Sequence, residues 1–318
     1  MNSESRHATN QAAGGTGIGL IGCGRMGIGL CRNLLRHGYR VLAYDVNKDS
    51  TNAAQALGAE VAQDVQVVAK TCRIILTCLP TLDAIQAVYE GPDSSMPAAP
   101  LRAGLLESCA PGTLLVETSS VTPDLRRRYG EHARQRGIEL VDAPMLRSAK
   151  DAWEGTVQIL LGGSPGAVAR AQPVLEAVSE KIIPAGELGN AHVMKALNNA
   201  VAMTNHAILS EIFAVGQHLG IRGESLLEMM RGSMAASYKL EDLAPKLLNN
   251  EHPRNAKIAF AEKDLSICCS VASETPVLTP VLESAYFTYR LACRMGGAEE
   301  PPSRLSAILL GERVLPSL

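Results

Sequence analysis

Gly17-Ile18-Gly19-Leu20-Ile21-Gly22-Cys23-Gly24-Arg25-Met26-Gly27, with Asp45 downstream, is the stretch whose reading decides the fold. Ile18 to Ile21 is a short apolar run of the kind that forms a buried parallel strand. It runs into Gly22-x-Gly24-x-x-Gly27 and then into a helical pattern through Leu30, Leu34 and Leu35. In such a turn the first glycine permits the tight bend, the second lets a pyrophosphate approach the backbone, and the third lets the helix pack on its strand. The unpaired N–H groups and positive end of that helix face the phosphates. A second apolar run, Val41-Leu42-Ala43-Tyr44, ends at Asp45, at the distance expected for an acid that binds an adenosine ribose. The motif assigns dinucleotide contacts to Gly22, Gly24, Arg25, Met26, Gly27 and Asp45.

Asp45 also bears on cofactor choice. A carboxylate accepts hydrogen bonds from ribose hydroxyls and repels a 2′-phosphate. No arginine follows it in Val46-Asn47-Lys48, so NAD is expected over NADP.

Short apolar runs continue to alternate with helical stretches. Arg73 to Leu79, Thr113 to Glu117, Ile138 to Val141 and Val157 to Leu161 read as further strands. This is βαβ patterning, so the expected fold is α/β, a Rossmann-like doubly wound, mainly parallel sheet. Beyond about Pro184 the pattern changes to long helical periodicity, first from near Ala191 to Val215 with Gly220 as a stop. Gly223 to Arg231, Asp264 to Ser273 and Pro280 to Met295 read as later helices. The expected organisation is a disordered lead-in at 1–16, a dinucleotide-binding domain at 17–184 and an all-helical C-terminal domain at 185–318. The stretch from Gly91 to Pro100, rich in Pro, Ser and Ala, reads as a surface excursion.

Composition narrows the partners. A net charge of −2 and 3% aromatic content give neither the electrostatic footprint nor the stacking platforms of a nucleic-acid binder. No apolar run is long enough to span a bilayer, and the polar N-terminus has no signal core. The eight cysteines show no CxxC pair and the seven histidines no metal-ligand spacing, so no metal is expected. The cysteines read as buried thiols in a reducing cytoplasm. The apolar surface of the helical region suits burial against a second subunit, hence a homodimer or homotetramer.

Lys195, Asn198 and Asn199 lie near the start of the long helical stretch, after Ala185-Gly186-Glu187-Leu188-Gly189-Asn190. Lys195 and Asn199 are one turn apart and share a face. A lysine beside amide side chains can exchange a proton with a hydroxyl that becomes a carbonyl.

From Gly17 onward the chain resembles the β-hydroxyacid dehydrogenase family, which includes 3-hydroxyisobutyrate dehydrogenases and tartronate semialdehyde reductases. Four ordered motifs carry the resemblance: Gly19 to Gly27, Asp142-Ala143-Pro144 with Gly155-Thr156, Gly189 to Asn199, and Glu262-Lys263-Asp264-Leu265. The resemblance implies that Lys195 is the general acid/base and Asn199 its substrate-orienting partner. It places Leu79 and Pro80 along the cofactor, Ser119 and Ser120 beside the nicotinamide, and Lys263 within reach of the cofactor. Asp264 fits a buried partner for nearby groups or a structural salt bridge. The substrate contacts are then Ser119, Arg147, Ser148 and Asn198, and the reaction interconverts a small 3-hydroxy acid and its semialdehyde.

One departure stands out. Where the family commonly has Ser-Gly-Gly after Asp-Ala-Pro and an apolar residue, this chain has Leu146, Arg147 and Ser148. A guanidinium offers a bidentate anion clamp, so the substrate is expected to carry a strong or second anion. An Arg-Ser pair is similar to that of sulfolactaldehyde reductases, which bind a sulfonate. A non-catalytic NAD-binding sensor of the same fold is the alternative from another class.

Overall fold

The computed structural model describes residues 17–91, 104–254 and 256–311. The lead-in at 1–16 and most of the excursion expected between Gly91 and Pro100 lie outside the described residues. The chain divides into two compact units, Met1–Lys195 and Ala196–Leu318.

The first unit is built on a nine-stranded sheet. Its strands are β1 (Gly17–Ile21), β2 (Arg40–Tyr44), β3 (Glu60–Val61), β4 (Ile74–Thr77), β5 (Leu114–Glu117), β6 (Glu139–Asp142), β7 (Met145–Leu146), β8 (Val157–Gly162) and β9 (Ser179–Gly186). The order β3-β2-β1-β4-β5-β6 is parallel throughout and doubly wound, as the βαβ pattern predicts. Successive side chains on these strands point to opposite faces. Leu76, Leu114 and Val116 therefore join one apolar cluster with Ile18 and Leu20. Ile75 and Leu115 join a second cluster with Ile21, Ile85 and Tyr89. Both faces of the sheet are covered, which is why its strands read as continuous apolar runs.

Past β6 the sheet departs from expectation. β8 runs antiparallel to β6 and β7, and β9 pairs parallel to β8. β9 is absent from the sequence reading because most of its residues are exposed or half-buried and form no apolar run.

The long helix spans Asn190–His218, 29 residues. It ends two residues before Gly220, whose φ of +74° suits the predicted stop. In the second unit all described elements are helical. Ala207 packs with Ile258, Leu265, Tyr289 and Leu305, while Leu209 and Phe213 pack with Leu227, Leu240 and Leu243. Tyr238–Leu248 is a helix that the sequence reading omits; Ser237 caps it, accepting from the Leu240 N–H. No helix among the described residues is long and apolar enough to cross a membrane.

Candidate functional site

The turn after β1 is shaped by carbonyl oxygens. Gly22 has φ +93°, and a Cβ there would lie 2.2 Å from the Cys78 carbonyl oxygen. A Cβ on Gly27 would sit 1.9 Å from the Gly22 carbonyl oxygen. Gly24 differs: it is exposed, and a Cβ would meet no protein atom within 4 Å. Nothing in the chain itself demands glycine at 24, whereas a phosphate lying on the loop would. Asp45 closes the turn, one oxygen accepting from the Cys23 N–H at 2.7 Å and the other from Asn47 N–H at 2.8 Å. Glycines, helix start and terminal acid together fit a bound dinucleotide.

Neighbouring strand ends are tied to one another. Glu117, the last residue of β5, is buried and accepts from the Ser119 N–H at 2.7 Å. Burial pushes its carboxyl pKa up, opposed by the hydrogen bonds from Ser119. The Ser119 hydroxyl accepts from the Leu79 N–H at 2.8 Å, so the Leu79-Pro80 and Ser119-Ser120 loops are joined directly. Asp142, the last residue of β6, is almost wholly buried and reaches the start of the long helix. Its Oδ2 accepts from the N–H groups of Gly189 (2.9 Å) and His192 (3.1 Å). A carboxylate at a helix N-terminus satisfies orphan donors and meets the positive end of the dipole. The His192 ring returns to Ser119, its Nε2 lying 3.0 Å from the Ser119 carbonyl oxygen. Lys195 is one turn further along the same helix and half-buried.

In the second unit, buried Asn199 donates from Nδ2 to Asp264 at 3.0 Å, and Asp264 pairs with Lys263 at 3.2 Å. Both roles open to Asp264 in the sequence are thus realised together. Asn198 is exposed and donates to the Asn199 side chain at 3.3 Å.

Arg147 and Ser148, expected at the substrate acid group, are engaged within the chain. The Arg147 guanidinium donates to the Thr156 carbonyl and to Glu180, each at 2.7 Å. Ser148 caps the helix Ala149–Glu154, forming a capping box with Asp151. The Arg147 backbone has φ +78°, the left-handed conformation that suits the glycine expected there. Among the described residues, no group of three or more His, Cys, Asp or Glu side chains could hold a metal ion.

Comparison with known proteins shows the family. A family model for the NAD binding domain of 6-phosphogluconate dehydrogenase matches residues 17–186. A second, the NAD-binding domain of NADP-dependent 3-hydroxyisobutyrate dehydrogenase, matches residues 189–308. The chain belongs to the β-hydroxyacid dehydrogenase family. It is an NAD-type oxidoreductase, as the resemblance implied. Among its relatives, 2-(hydroxymethyl)glutarate dehydrogenase of Eubacterium barkeri is 30% identical, over 90% of this chain and 92% of that protein. The 3-sulfolactaldehyde reductase of Escherichia coli K12 is 27% identical, over 93% and 96%. In fold, the chain is similar to Mycobacterium tuberculosis 3-hydroxyisobutyrate dehydrogenase, with TM-score 0.80 and 24% identity over 93% of this chain and 99% of that one.

Three groups that bond the candidate residues' loops in this β-hydroxyacid dehydrogenase carry no clear signal in the sequence. Asp142 was read as part of a substrate segment, and its capping role joins residues 47 and 50 positions apart. The sequence alone does not single out His192, although it lies three residues before Lys195 on one helix. Glu117 was read only as a strand end. The capping box at Ser148 did leave a local signal, an acid three residues after a serine.

Proposed function

We propose that this chain interconverts a small 3-hydroxy acid and its semialdehyde or oxo acid, with NAD(H) preferred and a strong or second anionic group on the substrate. The reading is carried by one observation: the turn of helix before Lys195 is bonded to the Ser119 loop, which is itself bonded to the Leu79 loop. That arrangement supports a lysine held at the cofactor edge of the sheet.

A bound nicotinamide dinucleotide supplies the hydride acceptor or donor. The protein's own residues supply the rest. Lys195 gives a proton to the substrate oxygen in reduction and takes it in oxidation, and Asn199, held by Asp264, orients that oxygen. The Gly22–Gly27 turn and the helix behind it hold the pyrophosphate, with Arg25 and Met26 along its path. Leu79, Pro80, Ser120 and Lys263 line the cofactor, and Ser119, Ser148 and Asn198 serve the substrate.

NAD(H) preference rests on Asp45. Asp45→Ala is expected to weaken NADH about 10- to 100-fold, the scale of losing hydrogen bonds to a charged acceptor, and to weaken NADPH less. Since Asp45 also holds the Cys23 N–H, the ratio of the two dissociation constants is the test. Equal weakening would leave Asp45 as a loop brace only.

Arg147 is proposed to hold the strong or second anion, by exchanging Glu180 for the substrate's group. The exchange is inexpensive because both partners are more than one-third exposed (37% and 41%), where an ion pair contributes about 0–1 kcal/mol. A relative named for a hydroxymethyl dicarboxylic acid favours a second anion, and another named for a sulfonate aldehyde favours a strong one. The test compares 3-hydroxyisobutyrate, 2-(hydroxymethyl)glutarate and 3-sulfolactaldehyde by NADH absorbance. Arg147→Ala should raise KM for the dicarboxylate and for the sulfonate tenfold or more and leave 3-hydroxyisobutyrate within about threefold. An unchanged preference removes the anion role. If none of the three is turned over, the non-catalytic sensor becomes the better reading.

A homo-oligomer is proposed through the helical region. Leu197, Val201, Ile208, Ile212 and Val215 form an exposed stripe along one face of the long helix. Sedimentation should give at least twice the chain mass, and Val201→Glu with Ile208→Glu should return it to one. A wild-type monomer at micromolar concentration would rule this out. All eight thiols are free, which supports a reducing compartment such as the cytoplasm.

A further inference from the structure

We infer that His192 is a positioning residue, a ring tether that fixes the helix carrying Lys195 to the Ser119 loop. The inference rests on the reading of Lys195 as the acid/base group and goes beyond it by naming what holds the lysine in place.

His192 is buried, with 7% of its surface exposed, so its ring bonds are protected from water. Its Nε2 lies 3.0 Å from the Ser119 carbonyl oxygen. A carbonyl only accepts, so Nε2 carries the hydrogen and the ring donates. The same residue's backbone N–H is held by Asp142 Oδ2 at 3.1 Å. Backbone and side chain of His192 are thus anchored to the ends of two different strand–loop segments, after β5 and at the end of β6. Burial pushes the imidazole pKa down, with nearby Asp142 opposing and Arg126 assisting, so the ring is a neutral donor near neutral pH. Asp142 Oδ2 is 3.6 Å from Nδ1, too far for a hydrogen bond, and it acts on the ring through charge.

The mechanical consequence follows from helix geometry. Residues three apart on a helix are neighbours on one face, so a fixed point at His192 restrains the Cα of Lys195 one turn later. Neither the Asp142 cap nor the turn at Gly189 restrains rotation about the helix axis as an off-axis side-chain bond does. The Ser119 carbonyl in turn belongs to a residue whose hydroxyl and N–H are already bonded, to Leu79 and Glu117. A displacement of one loop therefore reaches the lysine through a single hydrogen bond. Misplacing a catalytic group by about 1 Å costs on the order of 10²-fold in rate.

His192→Phe keeps the ring and removes the donor, while His192→Gln supplies an amide donor in its place. Amide exchange of the unliganded protein, read by mass spectrometry, should be at least tenfold faster across residues 187–195 in the Phe variant and near wild type in the Gln variant. With NAD and 2-(hydroxymethyl)glutarate, kcat should fall at least tenfold in the Phe variant with KM within threefold, and recover in the Gln variant. The isotope effect from substrate deuterated at the hydroxymethyl carbon should rise in the Phe variant, since the slowed step is the chemical one. A merely structural loss lowers the active fraction and leaves that isotope effect unchanged. If the Phe variant fails to fold, His192→Leu is measured against the same criteria. Wild-type exchange and kcat in the donor-less variant overturn the tether, as does a loss that Gln does not recover. Full activity in Lys195→Ala instead overturns the reading of the lysine, and the exchange result still stands or falls by itself.

Discussion

Lys195→Ala is expected to lower kcat by about 10²- to 10⁴-fold, the usual contribution of a positioned general acid/base, while NADH binding changes by less than about threefold. The split between the two measurements is what makes the prediction specific. The side chain lies beyond the first turn of the long helix, apart from the Gly22–Gly27 turn and Asp45 proposed to hold the pyrophosphate and ribose. Removing a half-buried lysine amine from a continuous helix also costs little stability, because alanine is the better helix former. Single-turnover kinetics with saturating NADH therefore reads chemistry alone. A variant with near-normal kcat would show that the proton comes from elsewhere, and NADH binding lost together with kcat would mean that the lysine holds the cofactor.

The second large effect contrasts two glycines of one motif. Gly27→Ala should destabilise the fold by about 3 kcal/mol or more, since its Cβ would stand 1.9 Å from the backbone oxygen of Gly22 and neither can move without shifting β1 against its helix. Gly24→Ala should leave stability within about 0.5 kcal/mol, because that Cβ meets no protein atom within 4 Å. It should nonetheless weaken NADH tenfold or more, as the methyl group occupies the path of the pyrophosphate. Denaturant unfolding and NADH titration of both variants decide it. Equal stability in the two would refute the packing argument, and undiminished NADH affinity in Gly24→Ala would place the phosphates elsewhere.

How far the sequence could be read follows from the range of each interaction. The β1 turn and Asp45 were legible because strand, glycines and acid lie close together in sequence and each has a local chemical reason. The long helix was legible from its periodicity. β9 was not, since a largely exposed edge strand leaves no apolar run. The partners of the candidate residues were hidden for a different reason. Asn199 meets Asp264 across 65 positions and His192 meets Ser119 across 73, pairings that only tertiary structure creates. The left-handed backbone of Arg147 was hidden too, because arginine rarely adopts it and nothing in the residue type announces it.

Asp45, Glu117 and Asp142 stand at or just past the carboxyl ends of three parallel strands, and each grips main-chain N–H groups of an adjoining segment. Segments held this way have already lost their conformational freedom during folding. A ligand arriving at this edge encounters a rim that is rigid beforehand, so its contacts go into recognition with little ordering of loops to offset them. Swift association, with only small backbone displacement upon complexation, is the behaviour such a rim imparts.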